Sequence, residues 1–355
     1  MPRQRLRDLG ITIGEFPTGQ YNAITDVPDI LVGHTTLIYD EPRVARTGVT
    51  VIVPRGGDVY QDQCYGAYHS FNGNGELTGV HWLEESGMVG GTIAITNTHQ
   101  VGLVRDALVD YEIQKHLESE FLLPIVAETY DGWLNDINAF HLTQADVLAA
   151  LSKARSGPVA EGNVGGGTGM ICHWFKGGIG TASRVVTTPS GSFTVGVLVQ
   201  ANYGARRHLR VNGVPVGQLI TTDEVPSPRQ AQKADGSIII VVATDAPLLS
   251  HQCKRLAQRA TVGLARVGGT GYNGSGDIFL AFATGNHLPI AATAPIPLQT
   301  LPNQQMDPLF DATAEAVEES ILNALCAAET MIGQQGRTVH ALPLDRLQEI
   351  MRAYS

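Results

Sequence analysis

The residues best equipped for chemistry stand at the mouth of one strand. Ala234 to Asp245 reads Ala-Asp-Gly-Ser-Ile-Ile-Ile-Val-Val-Ala-Thr-Asp. A turn-forming Asp235-Gly236 pair leads into Ser237, and the chain's densest β-branched run, Ile238 to Val242, follows as a buried strand. Were the Gly236-Ser237 bond cut, Ser237 would carry a hydroxyl nucleophile and a free α-amine together. The ordinary pKa of that amine, about 7.7 to 8.0, leaves a fraction neutral near physiological pH, able to take the hydroxyl proton. The cut requires Ser237 Oγ to attack the Gly236 carbonyl from a strained backbone, which glycine reaches at least cost. An Asp-Gly pair before a strand is also the signature of a plain tight turn. Spacing leaves both readings open.

Other elements must position that serine. Residues 48–54 and 91–96 read as core strands, and 101–117 as a helix with Leu103, Val104, Ala107, Leu108 and Tyr111 on one face. Between strand and helix lies Asn97-Thr98-His99-Gln100, where His99 reads as a cap or loop residue because nothing pairs it with a nucleophile. Residues 121–127 form a further strand that delivers Glu128 and Tyr130 at its end, where side chains project into clefts. A structural ion pair and a core plug would use the same residue types. Thr143-Gln-Ala-Asp146 opens a helix with a capping-box pattern, closed by Gly157-Pro158.

The glycine-rich stretch 162–169 follows a helix, so it is not a dinucleotide fingerprint, and close backbone packing near the active site is its expected purpose. Residues 178–186 and 192–200 pair around a Pro189-Ser190-Gly191 turn, and the second strand ends at Asn202. Its amide could face an oxyanion or close an Asx turn. Residues 211–233 lack periodicity and read as an exposed loop running to the cleavage point. A helix opens at Pro247, and 278–284 is a strand, which makes the Gly269-x-Gly271-x-x-Gly274 match a decoy. Residues 311–332 and 344–354 are amphipathic helices, with Val317, Ile321, Leu325 and Ala328 in the core.

The composition narrows the class. A chain of 355 residues, 43% hydrophobic and without a linker-like tract, is expected to form one large domain, 1–355. A net charge of -10 argues against nucleic acid, since no basic stripe exists to neutralise phosphates. The densest cluster, Arg206, Arg207, His208 and Arg210, is expected on a solvated loop face or in salt bridges. No apolar run is long enough to span a membrane, and no secretory leader is evident, so a soluble cytoplasmic protein is expected. The low charged fraction of 16% fits subunit contacts in a homo-oligomer. Cys64, Cys172, Cys253 and Cys326 are far apart and read as free buried thiols, with neither a zinc site nor a disulfide framework.

Asp235-Gly236-Ser237-Ile-Ile-Ile-Val-Val-Ala-Thr-Asp-Ala-Pro-Leu-Leu, together with Asn273-Gly274-Ser275-Gly276-Asp277, resembles the L-aminopeptidase/D-alanine esterase and β-peptidyl aminopeptidase family. The likeness runs from Arg7-Asp8-Leu9-Gly10 to Ala283-Thr284-Gly285-Asn286. It implies an α+β chain folded as a four-layer αββα sandwich, similar in layout to N-terminal-nucleophile hydrolases. It also implies self-cleavage at Gly236-Ser237 into a large subunit (1–236) and a small one (237–355). By the resemblance, Ser237 is the nucleophile and Asn202 stabilises the oxyanion. Ser275 and Asp277 orient Ser237 and shuttle protons, Glu128 holds the free amine of a small peptide, amide or ester, and Tyr130 lines the site. Some relatives carry glutamate where this chain has Asp277. No metal or organic cofactor is implied, and the assembly would be a homo-oligomer of processed heterodimers. A self-cleaving acyltransferase of similar layout is the alternative; a Ser-His-Asp triad is disfavoured because no Gly-x-Ser-x-Gly elbow occurs.

Overall fold

The computed structural model describes residues 3–116, 121–228 and 236–354. In chain order its elements are β1 (Leu31–Tyr39), β2 (Ala45–Val53), β3 (Asp62–Gly73), α1 (Val80–Ser86), β4 (Met88–Val89), β5 (Ile93–Asn97), α2 (Val101–Lys115), β6 (Ile125–Thr129) and α3 (Gln144–Ser152). There follow β7 (Ile171–Cys172), β8 (Phe175–Lys176), β9 (Gly178–Thr188), β10 (Gly191–Asn202), α4 (Val216–Leu219), β11 (Ser237–Thr244) and α5 (Ser250–Val267). The chain closes with β12 (Gly276–Pro289), α6 (Asp307–Ala327), β13 (Met331–Ile332), β14 (Thr338–Val339) and α7 (Leu344–Tyr354).

Two sheets carry the architecture, a four-stranded one ordered β1-β2-β5-β6 and a six-stranded one ordered β4-β3-β12-β11-β10-β9. Side-chain alternation shows how they stack. In β11, Ile238, Ile240 and Val242 join a core with Leu256, Ala260, Val317 and Ile321 of α5 and α6. The intervening Ile239, Val241 and Ala243 pack against Ile52, Ile93, Ile95 and Ile125 of the other sheet. On the far side of that sheet Val49, Val51, Ala94 and Val126 meet Val104, Leu108 and Val147 of α2 and α3. The layers are therefore helix, sheet, sheet, helix, the expected αββα sandwich. A strand buried on both faces needs apolar residues at every position, which is why β11 reads as an unbroken run.

Several boundaries depart from the sequence reading. The strand expected over 121–127 begins at Ile125, because Phe121 is exposed. The third helix ends at Ser152, the helix expected from Pro247 starts at Ser250, and the long C-terminal helix is Asp307–Ala327, with Met331 and Ile332 in a strand. The region 211–233 is an exposed loop only in part where described: α4 forms there, and Val211, Val216 and Ile220 enter the main core, while residues 221–224 are exposed. Residues 229–233 and the turn residue Asp235 lie outside the described residues. All four cysteines are buried and free.

Arg206 is also not solvated. It is buried with its guanidinium 4.0 Å from the Phe175 ring centroid, and it donates to the carbonyls of Thr221, Val225 and Trp174. A guanidinium's several donors let one side chain pin three backbone segments.

Candidate active site

Ser237 is the first residue of a strand held on both sides. It registers with Asn202 at the end of antiparallel β10 and with Gly276 at the start of parallel β12. Its Oγ accepts a hydrogen bond from Gly276 N at 3.1 Å. Gly236 and Ser237 lie together in the wall of a cleft of about 670 Å³, with Asn202, Glu128 and Tyr130 around them. A β-carbon on Gly236 would come within 2.3 Å of the Asn202 carbonyl oxygen and 2.7 Å of Tyr203 Cα. Close approach of the neighbouring strand leaves no room for a side chain here.

Ser275 and Asp277 flank Gly276, whose N–H reaches Ser237 Oγ, and Asp277 registers with Ile238, the residue after the serine. Ser275 Oγ lies 2.7 Å from both Asp277 Oδ2 and the Tyr272 carbonyl. One hydroxyl proton cannot serve both acceptors, so when Ser275 donates to the Tyr272 carbonyl, a protonated Asp277 carboxyl can donate to Ser275 Oγ. Burial pushes the Asp277 carboxyl up to about 6, against the Ser275 bond and a backbone N–H from Ile238. Its Oδ1 is buried without a hydrogen-bond partner.

Across the cleft, parallel pairing of β5 and β6 places Thr96 beside Glu128 and Asn97 beside Thr129. The strand ends therefore present Thr98 and Glu128 side by side, and Thr98 Oγ1 donates to Glu128 Oε2. Glu76 N donates to Glu128 Oε1 at 3.1 Å. Glu128 is only 3% exposed, and burial raises its pKa against those two bonds. Among the described residues no lysine, arginine or histidine forms an ion pair with it. A buried carboxylate with no internal cation suits an ammonium arriving from outside. His99, the other candidate at this strand end, sits on a turn capped by Asn97 and stacks on Phe140 at 6.1 Å, as a loop residue.

The Asn202 amide is fixed by backbone on both sides: Oδ1 accepts from Ile171 N at 2.8 Å, and Nδ2 donates to the Tyr130 carbonyl at 3.0 Å. That bond uses one of two N–H groups, leaving the second for an oxyanion. Tyr130 is half exposed at the cleft edge and packs over Gly132, where a β-carbon would lie 2.3 Å from its hydroxyl. The glycine-rich stretch lies one layer behind: a β-carbon on Gly166 would strike Gln200 and Ile95, and Gln200 in turn donates to the Thr96 carbonyl and Thr129 Oγ1.

The structure adds cleft residues that the sequence did not single out. Thr98 and Glu76 depend on register and on a loop with no periodic signal; the strand-end reasoning that found Glu128 could have reached Thr98. Trp174 lies on the tight turn between β7 and β8, where His173 and Trp174 both have positive φ, 49° and 64°. Such turns usually take Asn and Gly, so composition gave no warning.

A central-strand serine beside an oxyanion-competent amide, inside an αββα sandwich, defines a hydrolase of the N-terminal-nucleophile layout. The model of peptidase family S58 matches residues 22–339, and the chain belongs to that family. A β-peptidyl aminopeptidase, BapA, of Sphingosinicella microcystinivorans is 47% identical, over 99% of this chain and 92% of the relative. A Burkholderia sp. β-aminopeptidase superposes with a TM-score of 0.93 at 51% identity, covering 99% of each chain. An L-aminopeptidase D-Ala-esterase/amidase from Ochrobactrum anthropi, described as a prototype of the serine aminopeptidases and a variant of the Ntn hydrolase fold, matches with a TM-score of 0.93. It is 46% identical, covering 100% of this chain and 99% of its own. This protein is thus a hydrolase of the serine aminopeptidase kind. Among the described residues no helix is long and apolar enough to cross a membrane.

Proposed function

We propose that the chain cuts itself at Gly236-Ser237 and then removes N-terminal amino acids from small peptides, amides or esters with a free amino group. The observation that carries this reading is Glu128, a buried carboxylate facing the cleft that forms no ion pair among the described residues. In processing, Ser237 Oγ attacks the Gly236 carbonyl carbon, the peptide C–N bond breaks as the nitrogen takes a proton, and water hydrolyses the resulting ester. The products are a Gly236 carboxylate and a Ser237 amine. One domain is thereby left as two associated pieces, 1–236 and 237–355.

In catalysis Glu128 pairs with the substrate ammonium and sets the adjacent carbonyl over Ser237. The Ser237 amine takes the hydroxyl proton and returns it to the leaving amine or alcohol, and water then releases the acyl group. The free Asn202 N–H stabilises the oxyanion, an effect worth about 2.7 to 4 kcal/mol of barrier. Ser275 and Asp277 orient Ser237 and relay protons, and Tyr130 shapes the mouth. The low charged fraction of 16% favours a homo-oligomer of such processed pairs.

Mass spectrometry of purified protein tests the reading. Wild type should give the two fragments and hydrolyse aminoacyl p-nitroanilides, while Ser237→Ala should give one inactive chain. An intact wild-type chain that hydrolyses amides would overturn it. A panel with the amine one or two carbons from the scissile carbonyl then separates α- from β-amino substrates.

A further inference from the structure

At the end of the four-stranded sheet remote from the cleft, three side chains from separate segments converge. Glu112 and His116 stand one turn apart at the C-terminal end of α2, and Asp58 lies in the loop that leaves β2. His116 Nε2 is 2.6 Å from Asp58 Oδ2 and 3.8 Å from Glu112 Oε2, and the three ligand atoms all lie within 4.8 Å of one another. The separations bracket the roughly 3.4 Å between ligand atoms held about 2.1 Å from a tetrahedral ion.

Two further features separate this cluster from an ordinary surface ion pair. Glu112 is only 6% exposed, and its Oε2 is buried without a hydrogen-bond partner, with His116 Nε2 at 3.8 Å. The ligands are also held from behind. Asp58 Oδ1 accepts from the backbone N–H groups of Tyr60 and Gln61, turning Oδ2 inward, and the Tyr60 ring stacks on the His116 imidazole at 5.2 Å. Supporting contacts of this sort orient ligands in metal sites. Lys115 Nζ, 3.4 Å from Asp58 Oδ2, is the competing cation, but its side chain is more than one-third exposed and can swing outward.

We infer that Asp58, Glu112 and His116 form a binding site for one divalent transition-metal ion of the zinc class. One imidazole with two carboxylates matches that chemistry, and the two negative charges balance the ion. The site would be structural. β5, α2 and β6 form a crossover in which Thr98 and Glu128 mark one end and Glu112 and His116 the other. The 15 residues of α2 put roughly 22 Å between those ends. An ion there would tie the loop after β2 to the helix that precedes β6.

The test uses tag-free, full-length protein stripped with EDTA and titrated with zinc chloride by calorimetry. One ion per chain should bind, and Co²⁺ should give visible d–d absorption bands. His116→Gln, Glu112→Gln and the more conservative loop variant Asp58→Asn should each weaken binding at least about tenfold and lose the cobalt bands. Stripping the ion should lower the melting temperature and leave kcat unchanged. Absence of a saturable site, variants that bind as wild type does, or a kcat that falls with the chelator would each overturn the assignment.

Discussion

Two sets of buried carboxylates in this protein are handled in opposite ways. Beneath the six-stranded sheet, Glu315 and Glu319 of α6 are matched by arginines: Arg184 Nε reaches Glu315 at 2.9 Å and Arg184 Nη2 reaches Glu319 at 2.7 Å, while Arg7 closes on Glu319 at 2.8 Å. Burial alone would raise Glu319, but its bond from Arg7 and the nearby Arg184 charge bring its pKa below the ordinary value. At the candidate site, Glu128 in the cleft wall and Asp277 beside Gly276 are buried to a similar depth, receive only neutral hydrogen bonds, and have raised pKa values. Where charge is structural the fold neutralises it internally. At the candidate site the carboxylates have no ion pair among the described residues, which suits completion by a ligand or a proton.

The largest expected effect comes from breaking the paired set. Arg184→Met removes the only arginine on Glu315 among the described residues and leaves Glu319 with Arg7 alone, and removing one partner of a buried network costs about 3 to 5 kcal/mol. Urea denaturation of the processed protein should show that loss, with activity per folded molecule unchanged. An equal loss in the cleft variants would erase the distinction between the two sets. Next comes Glu128→Gln, which keeps shape and removes charge. Truncating one side of a buried charge pair costs about 2 to 5 kcal/mol, so kcat/KM should fall by roughly 30-fold to a few thousand-fold. Its melting temperature should hold or rise, because the unpaired charge is gone.

What the sequence disclosed follows the same division. Continuous or alternating apolar runs exposed β9 to β12 and α7, because burial on one or two faces leaves a period that can be read directly. The site was legible chiefly through resemblance, since a serine, an amide and a carboxylate at strand ends are also ordinary turn residues. Thr98 and Glu76 were hidden because strand register and a loop path bring them to Glu128. Arg206 misled because its partners are carbonyls of segments distant in sequence. Glu315 and Glu319 of α6 are both buried, and only the arrival of Arg7 and Arg184 from far along the chain accounts for that.

A pH scan sharpens the contrast inside the cleft. The Asp277 carboxyl is held near 6 when folded and near 3.8 in its ordinary state. The protonated form is favoured in the fold, so its stabilising contribution is full below about pH 4 and is lost as pH rises through about 6. Melting temperatures of wild type should therefore fall relative to Asp277→Asn across that window and run parallel above it. If Asp277 must be ionised to accept a proton, kcat/KM should also rise through the same window in wild type and lose that limb in the variant. Parallel curves throughout would mean that the carboxyl is not held high.

The smallest effect isolates one hydrogen bond. Thr98→Val keeps volume and removes the hydroxyl that donates to Glu128 Oε2, leaving the bond from Glu76 N. A hydrogen bond to a charged group is worth about 1.5 to 3 kcal/mol, and a bound ammonium would compensate part of that. Loss of the donor should raise the Glu128 pKa further, which favours its protonated form over the carboxylate that pairs with an ammonium. KM should then rise about three- to tenfold, most strongly at the acidic end of the range, while kcat changes little because the serine, Asn202 and Asp277 are untouched. The same substitution would lower kcat and leave KM alone if Glu128 acted on the reacting bond instead of on the amine. That split between KM and kcat is a direct test of whether the unpaired carboxylate is there to receive a cation.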